Sequence, residues 1–88
     1  MHLTINTGAL HNAEVPISDN ASQAVRMGFN PSKQPNVDRL KAIAAAFISE
    51  CERLKSAPGN TAGRELSIAI TEMQTASMWA VLGATKDL

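Results

Sequence analysis

Residues 36–55 read NVDRLKAIAAAFISECERLK, and their spacing decides the fold. Val37, Leu40, Ala44, Phe47, Cys51 and Leu54 recur at intervals of 3, 4, 3, 4 and 3, a heptad seam thickened by Ile43 and Ile48. The spacing predicts a long amphipathic helix capped by Asn36. Arg53 and Lys55 fall in its last turn, where cations oppose the negative end of the helix dipole. Twenty residues at ~1.5 Å each span about 30 Å.

Downstream, Ser56-Ala57-Pro58-Gly59-Asn60 is a turn by composition. A second helix is predicted from about Thr61 to Thr85, with Leu66, Ile70, Met73, Ser77, Ala80 and Ala84 on one stripe. Ile68, Trp79 and Leu82 fall outside that stripe, and no charge occurs between Glu72 and Lys86. A helix apolar on most sides is buried on most sides, yet a hairpin partner covers only one. Either the core is a loose pair of helices, or other copies of the chain cover what remains. An Ala-rich hairpin buries little area against its conformational entropy, which favours self-association, usually in closed symmetry.

Upstream, residues 1–16 lack a helical period; alternation over His2–Thr7 permits a short strand or an extended arm. Ser18-Asp19-Asn20 offers capping oxygens for two helical turns over Ala21–Met27, and Gly28 suits the left-handed position past a helix end. Phe29-Asn30-Pro31-Ser32 and Pro35 make a stiff elbow. The expected architecture is all-α and one domain over 1–88. A short N-terminal helix within an arm (1–28) precedes the elbow and a long antiparallel two-helix hairpin (29–88), and copies assemble into a homo-oligomer.

Eight Lys plus Arg balance eight Asp plus Glu, so the net charge is zero. That disfavours a broad grip on DNA or an anionic membrane and still permits one small anion in a local pocket. No signal peptide or apolar run of spanning length is evident. One cysteine allows no internal disulfide, and with two histidines it makes a structural zinc site improbable. No phosphate loop, metalloprotease motif or nucleophile elbow occurs, and His2 and His11 lie in the arm without a catalytic pattern around them. A soluble, reducing compartment is the expectation.

The order of four segments resembles a phage family, the two-helix hairpin domain of anti-CBASS signal sponges, shared with sponges against Thoeris defence. The segments are the F-N-P-S elbow (Phe29 to Ser32), V-D-R-L-K (Val37 to Lys41), A-I-T (Ala69 to Thr71) and T-A-S-M-W-A (Thr75 to Ala80). Lys33 stands where the pattern has glycine. The resemblance implies a non-enzymatic protein, without metal or cofactor, acting in the bacterial host cytoplasm. Such a protein holds cyclic oligonucleotide messengers, such as cyclic GMP-AMP or cyclic tri-adenylate, intact and away from their effectors. It also implies a hexamer, with cyclic dinucleotides at protomer pairs and cyclic trinucleotides at three-fold positions; some relatives take cyclic ADP-ribose-type signals.

Carried onto this chain, the resemblance makes Phe29, Asn30, Pro31, Ser32 and Lys41 candidates for a cyclic dinucleotide. Arg64, Ser67 and Thr71 become candidates for a cyclic trinucleotide. Each has a plainer reading. Lys41 can pair with Asp38 on the helix surface, for a few tenths of a kcal/mol. Phe29 can staple the helix start, and Asn30, Pro31 and Ser32 can simply make the turn. Arg64 in a first helical turn opposes the dipole and has no acidic residue three or four positions away, which suits an anion site, but it can also be solvated. Met78 and Trp79 read as core or protomer interface and Cys51 as core; Arg26 and Lys33 flank the elbow, where they can add positive potential over a pocket or, by default, stand as solvated surface cations. The competing function is a helical protein–protein interaction module with no nucleotide ligand.

Overall fold

The computed structural model describes residues 1–8 and 12–88; His11 lies outside them. The order is β1 (His2–Ile5), β2 (Ala13–Pro16), α1 (Asp19–Ala24), α2 (Pro35–Lys55) and α3 (Gly63–Thr85). The expectation of an all-α chain needs correcting at its front. β1 and β2 pair antiparallel, with Leu3 opposite Val15 and Thr4 opposite Glu14. Alternation explains why a sheet forms: Val15 is buried and Leu3 half-buried on one face. On the other face Thr4 Oγ1 donates to the Glu14 carboxylate, which also lies 3.0 Å from His2 Nε2.

Ser18 caps α1, its Oγ accepting the Ala21 N–H at 3.0 Å. The same hydroxyl donates to Glu52 Oε1 at 2.7 Å, Asn20 Nδ2 donates to Glu52 Oε2, and the Ser18 N–H donates to Ser49 Oγ at 3.0 Å. Polar bonds from α2 therefore pin the start of α1, and apolar packing pins its body. Ala21 and Val25 join Ala44, Ala45 and Ile48 in the core, with Ile17, Met27, Ile70 and Met73 against them.

α2 begins at Pro35, whose fixed φ and missing N–H suit the first helical position; Gln34 rather than Asn36 is the N-cap. The buried arc of α2 is wider than the heptad seam and rotated from it. Val37, Ala44 and Cys51 are buried as the spacing predicts, but Phe47 and Leu54 are over 40% exposed and Ile43 is 54% exposed. α2 has partners on two sides, α3 on one and α1 with the β-hairpin on the other, so the row through Lys41, Ala45, Ile48 and Ser49 is covered too. On α3 the predicted stripe faces inward: Ser77 is buried, and Leu66, Ile70, Met73, Ala80 and Ala84 are half-buried. Ile68, Trp79 and Leu82 point to solvent, as does Met78, so Met78 and Trp79 are not core residues. Among the described residues no helix is long and apolar enough to cross a membrane.

Candidate functional site

α1 ends in a paired-bond cap: Arg26 N–H bonds the Gln23 carbonyl at 3.1 Å and Met27 N–H bonds the Ser22 carbonyl at 2.9 Å. This geometry needs a left-handed residue at position 26, and Arg26 supplies it with φ +58. Gly28 is also left-handed, at φ +85, so the chain reverses twice in three residues. For an arginine that conformation costs roughly 1–2 kcal/mol, which glycine would not incur.

The elbow then folds on its own side chains. The Asn30 carbonyl accepts the Lys33 N–H at 3.1 Å, closing a turn with Pro31 at its second position. Asn30 Nδ2 donates to the Gln34 carbonyl at 2.9 Å, and Ser32 Oγ donates to Asn30 Oδ1 at 2.8 Å. Asn30 and Ser32 therefore organise the turn, whatever else they touch. Lys33 sits at φ +58, a backbone conformation glycine adopts more easily.

Lys41 is the centre of the site. It is 7% exposed, and it does not pair with Asp38. Its Nζ donates to the Arg26 carbonyl at 3.0 Å and to the Phe29 carbonyl. An ammonium has three donors, and two carbonyls neutralise none of its charge. Among the described residues no carboxylate meets this part-buried cation, so the site holds a positive charge without an anion to balance it.

Phe29 is 52% exposed. Its ring centroid lies 4.2 Å from Arg26 Cζ and 5.5 Å from Lys41 Nζ. The ring borders two adjoining cavities. One, of about 250 Å³, is lined by Arg26, Phe29, Lys41, Ser77, Met78 and Val81 among others. The second, of about 260 Å³, is lined by Phe29, Asn30, Pro31, Ser32, Lys41 and Thr85 among others. Each is below the roughly 300 Å³ at which ligand pockets usually begin.

The structure thus brings Phe29, Asn30, Pro31, Ser32 and Lys41 around one place. It adds Ser77, Val81 and Thr85, a row four residues apart on α3 that the sequence reading did not assign to the site, although the i, i+4 spacing within the charge-free stretch carried a signal. Arg64, Ser67 and Thr71 are elsewhere, in the first half of α3, about 25 Å (Arg64) to about 15 Å (Thr71) along it from Val81. Arg64 and Thr71 are exposed and Ser67 half-buried; Thr71 Oγ1 donates to the Ser67 carbonyl at 3.2 Å. Arg64 has no carboxylate partner among the described residues.

Cys51 is buried, and desolvation, then Glu50 and Glu52, pushes its thiol pKa up, away from nucleophile chemistry. Among the described residues no His, Cys, Asp and Glu cluster is arranged to hold a metal ion.

No curated protein and no solved structure matches the chain. Residues 19–85 match the family model described as Acb2/Tad1, hairpin domain. That match begins at α1 and ends with α3, so it covers the cap, the elbow, Lys41 and the whole hairpin, more than half of the 88 residues. An incomplete cation site at the elbow of such a hairpin is thus found on a chain that belongs to the Acb2/Tad1 hairpin-domain family, the anti-CBASS and anti-Thoeris sponges.

Proposed function

We propose that this chain is a phage anti-defence protein that binds cyclic di- and trinucleotide messengers in the host cytoplasm and withholds them, uncleaved, from their effectors. The observation that carries this reading is Lys41, a buried residue whose ammonium is held by two carbonyls beside an exposed aromatic ring and two cavities, with no carboxylate partner among the described residues. A phosphate supplies the missing anion, through charge-assisted bonds of about 1.5–3 kcal/mol. A nucleobase on Phe29 adds ~1–3 kcal/mol of stacking. Family membership supports the same class of ligand. Withholding is mass action: a tight binder in excess of the signal lowers its free concentration.

Assembly belongs to this proposal. Ile43, Phe47 and Leu54 on α2 and Ile68, Met78, Trp79 and Leu82 on α3 are large apolar side chains left to solvent. Copies packing on these faces would form the oligomer, for which a dihedral hexamer is our reading. Two copies around a two-fold offer paired Phe29 and Lys41 to the two phosphates of a cyclic dinucleotide. Three copies around a three-fold offer Arg64, Ser67 and Thr71 in triplicate to a cyclic trinucleotide, and zero net charge suffices because each chain contributes few cations.

The test is thermal melting of the purified chain with cyclic GMP-AMP, cyclic tri-adenylate and a cyclic ADP-ribose, followed by recovery of the ligand after denaturation. A raised melting temperature with intact ligand supports sequestration. Hydrolysed ligand makes the chain an enzyme. No shift with any of them favours the alternative, a protein-binding module, which the exposed Met78-Trp79-Leu82 cluster otherwise supports.

A further inference from the structure

We propose that Arg26 is a second ligand-binding cation of the elbow cavity. In the free protein its guanidinium occupies the Phe29 ring face; on binding, a nucleobase takes that face and the guanidinium passes to a ligand phosphate. This rests on the nucleotide-binding reading above.

Three observations converge on it. First, Arg26 is held at φ +58, in a cap where glycine is the easier residue, so the free fold gains nothing from an arginine backbone there. Second, the charge has no local use. Arg26 is exposed, no carboxylate pairs with it among the described residues, and its recorded partner is the Phe29 ring at 4.2 Å. Third, Lys41 approaches the same ring, at 5.5 Å, and its ammonium is bonded to the carbonyl of Arg26 itself. Two like charges therefore meet at one aromatic ring, in a cavity completed by Ser77, Met78 and Val81, with no anion between them.

The two cations differ in what they can do. Lys41 is buried and tied to two carbonyls, so it is a fixed point charge. The Arg26 side chain is long and solvent-facing, and its flat, delocalised head stacks on a ring as a base does and bonds phosphate in a two-pronged fork. A ligand that joins a flat heteroaromatic ring to a phosphodiester satisfies both: the base replaces the guanidinium on Phe29, and the phosphate lies between the two cations. The arrangement selects an aromatic phosphodiester over free phosphate, because a phosphate alone leaves the guanidinium–phenyl stack in competition with it.

The experiment is calorimetric titration of the full chain and of Arg26→Gly and Arg26→Lys with cyclic GMP-AMP and with inorganic phosphate, alongside melting of each ligand-free protein. Arg26→Gly is expected to melt higher than the parent, because the left-handed position is relieved, and to bind cyclic GMP-AMP about tenfold to a hundredfold more weakly. Arg26→Lys is expected to recover part of that loss, and phosphate to bind far more weakly than the dinucleotide. If Arg26→Gly binds within twofold of the parent, Arg26 is no ligand contact while the nucleotide reading stands. If Arg26→Gly loses stability and affinity together, the residue supports the elbow and the proposal fails. If the parent itself binds no cyclic GMP-AMP, the dinucleotide reading of the elbow falls, and the role of Arg26 with it.

Discussion

At the elbow end of the hairpin, Lys41 of α2 is roofed by two carbonyls, Phe29 stands beside it, and Ser77, Val81 and Thr85 of α3 close the wall. At the turn end, Arg64, Ser67 and Thr71 lie along a single helical face, with Arg64 and Thr71 open to water. The first end is a cavity assembled by one chain from three separated segments; the second is a row on a single helix, its Ser67 only half-buried. Burial makes the difference. A cation desolvated by its own chain already carries the electrostatic demand for an anion, whereas a solvated arginine acquires one only when something excludes the water around it. If both ends bind nucleotide, one copy already builds its half of the elbow site, whereas the Arg64 face depends wholly on neighbouring copies.

Lys41→Glu should break the elbow most severely. It places a carboxylate against the carbonyls of Arg26 and Phe29, and we expect loss of dinucleotide binding together with a destabilisation of about 3 kcal/mol by denaturant unfolding. Lys41→Met separates the two effects: it keeps the buried stem, and dinucleotide affinity should fall more than stability does. Retained affinity in the methionine variant would remove Lys41 from the site.

Arg64→Ala should sharpen the contrast. Trinucleotide affinity is expected to drop about tenfold or more, dinucleotide affinity to hold within twofold, and the melting curve to be unmoved, as for a solvated side chain. Equal losses for both ligands would merge the two ends into one site. Ligand binding measured across a dilution series, with light scattering at each concentration to test for assembly, should show trinucleotide binding weakening before dinucleotide binding.

A smaller effect is expected at Lys33, where glycine relieves φ +58 and should stabilise the elbow by about 0.5–1 kcal/mol in thermal melting. Any fall in dinucleotide affinity in that variant would assign the Lys33 charge to the cavity. The smallest effect belongs to the exposed Glu50–Arg53 pair, 3.0 Å apart. The Arg53 hydrogen bond holds the Glu50 carboxyl below its ordinary value. Its contribution is therefore present above the ordinary carboxylate range and lost as pH falls through the lowered value. Screening by solvent makes that loss small, so Glu50→Gln should leave melting at neutral pH and both affinities unchanged.

Much of this molecule was legible from local pattern. The period over Val37–Leu54 marks α2, the stripe from Leu66 to Ala84 marks the inward face of α3, and Ser18 caps α1 as its residue type suggests. The departures share a cause. Phe47 and Leu54 look like seam residues until α1 and the β-hairpin claim a different row of α2, and the alternation around Leu3, which permits a strand or an extended arm, becomes a strand only through its pairing with the segment around Val15. Lys41 beside Asp38 reads as an ordinary surface pair, because nothing local says that residues 26 and 29 fold back over it.

The amino-acid order by itself determined the hairpin, its turn, the elbow and the family, because helix period, proline, glycine and capping chemistry act over a few residues. Only the tertiary structure decided that Lys41 is buried with no carboxylate partner among the described residues, that Arg26 is left-handed and stacked on Phe29, and that Ser77, Val81 and Thr85 wall the same space. Desolvation and cavity shape depend on which distant segments come together, and no stretch of sequence carries that information alone.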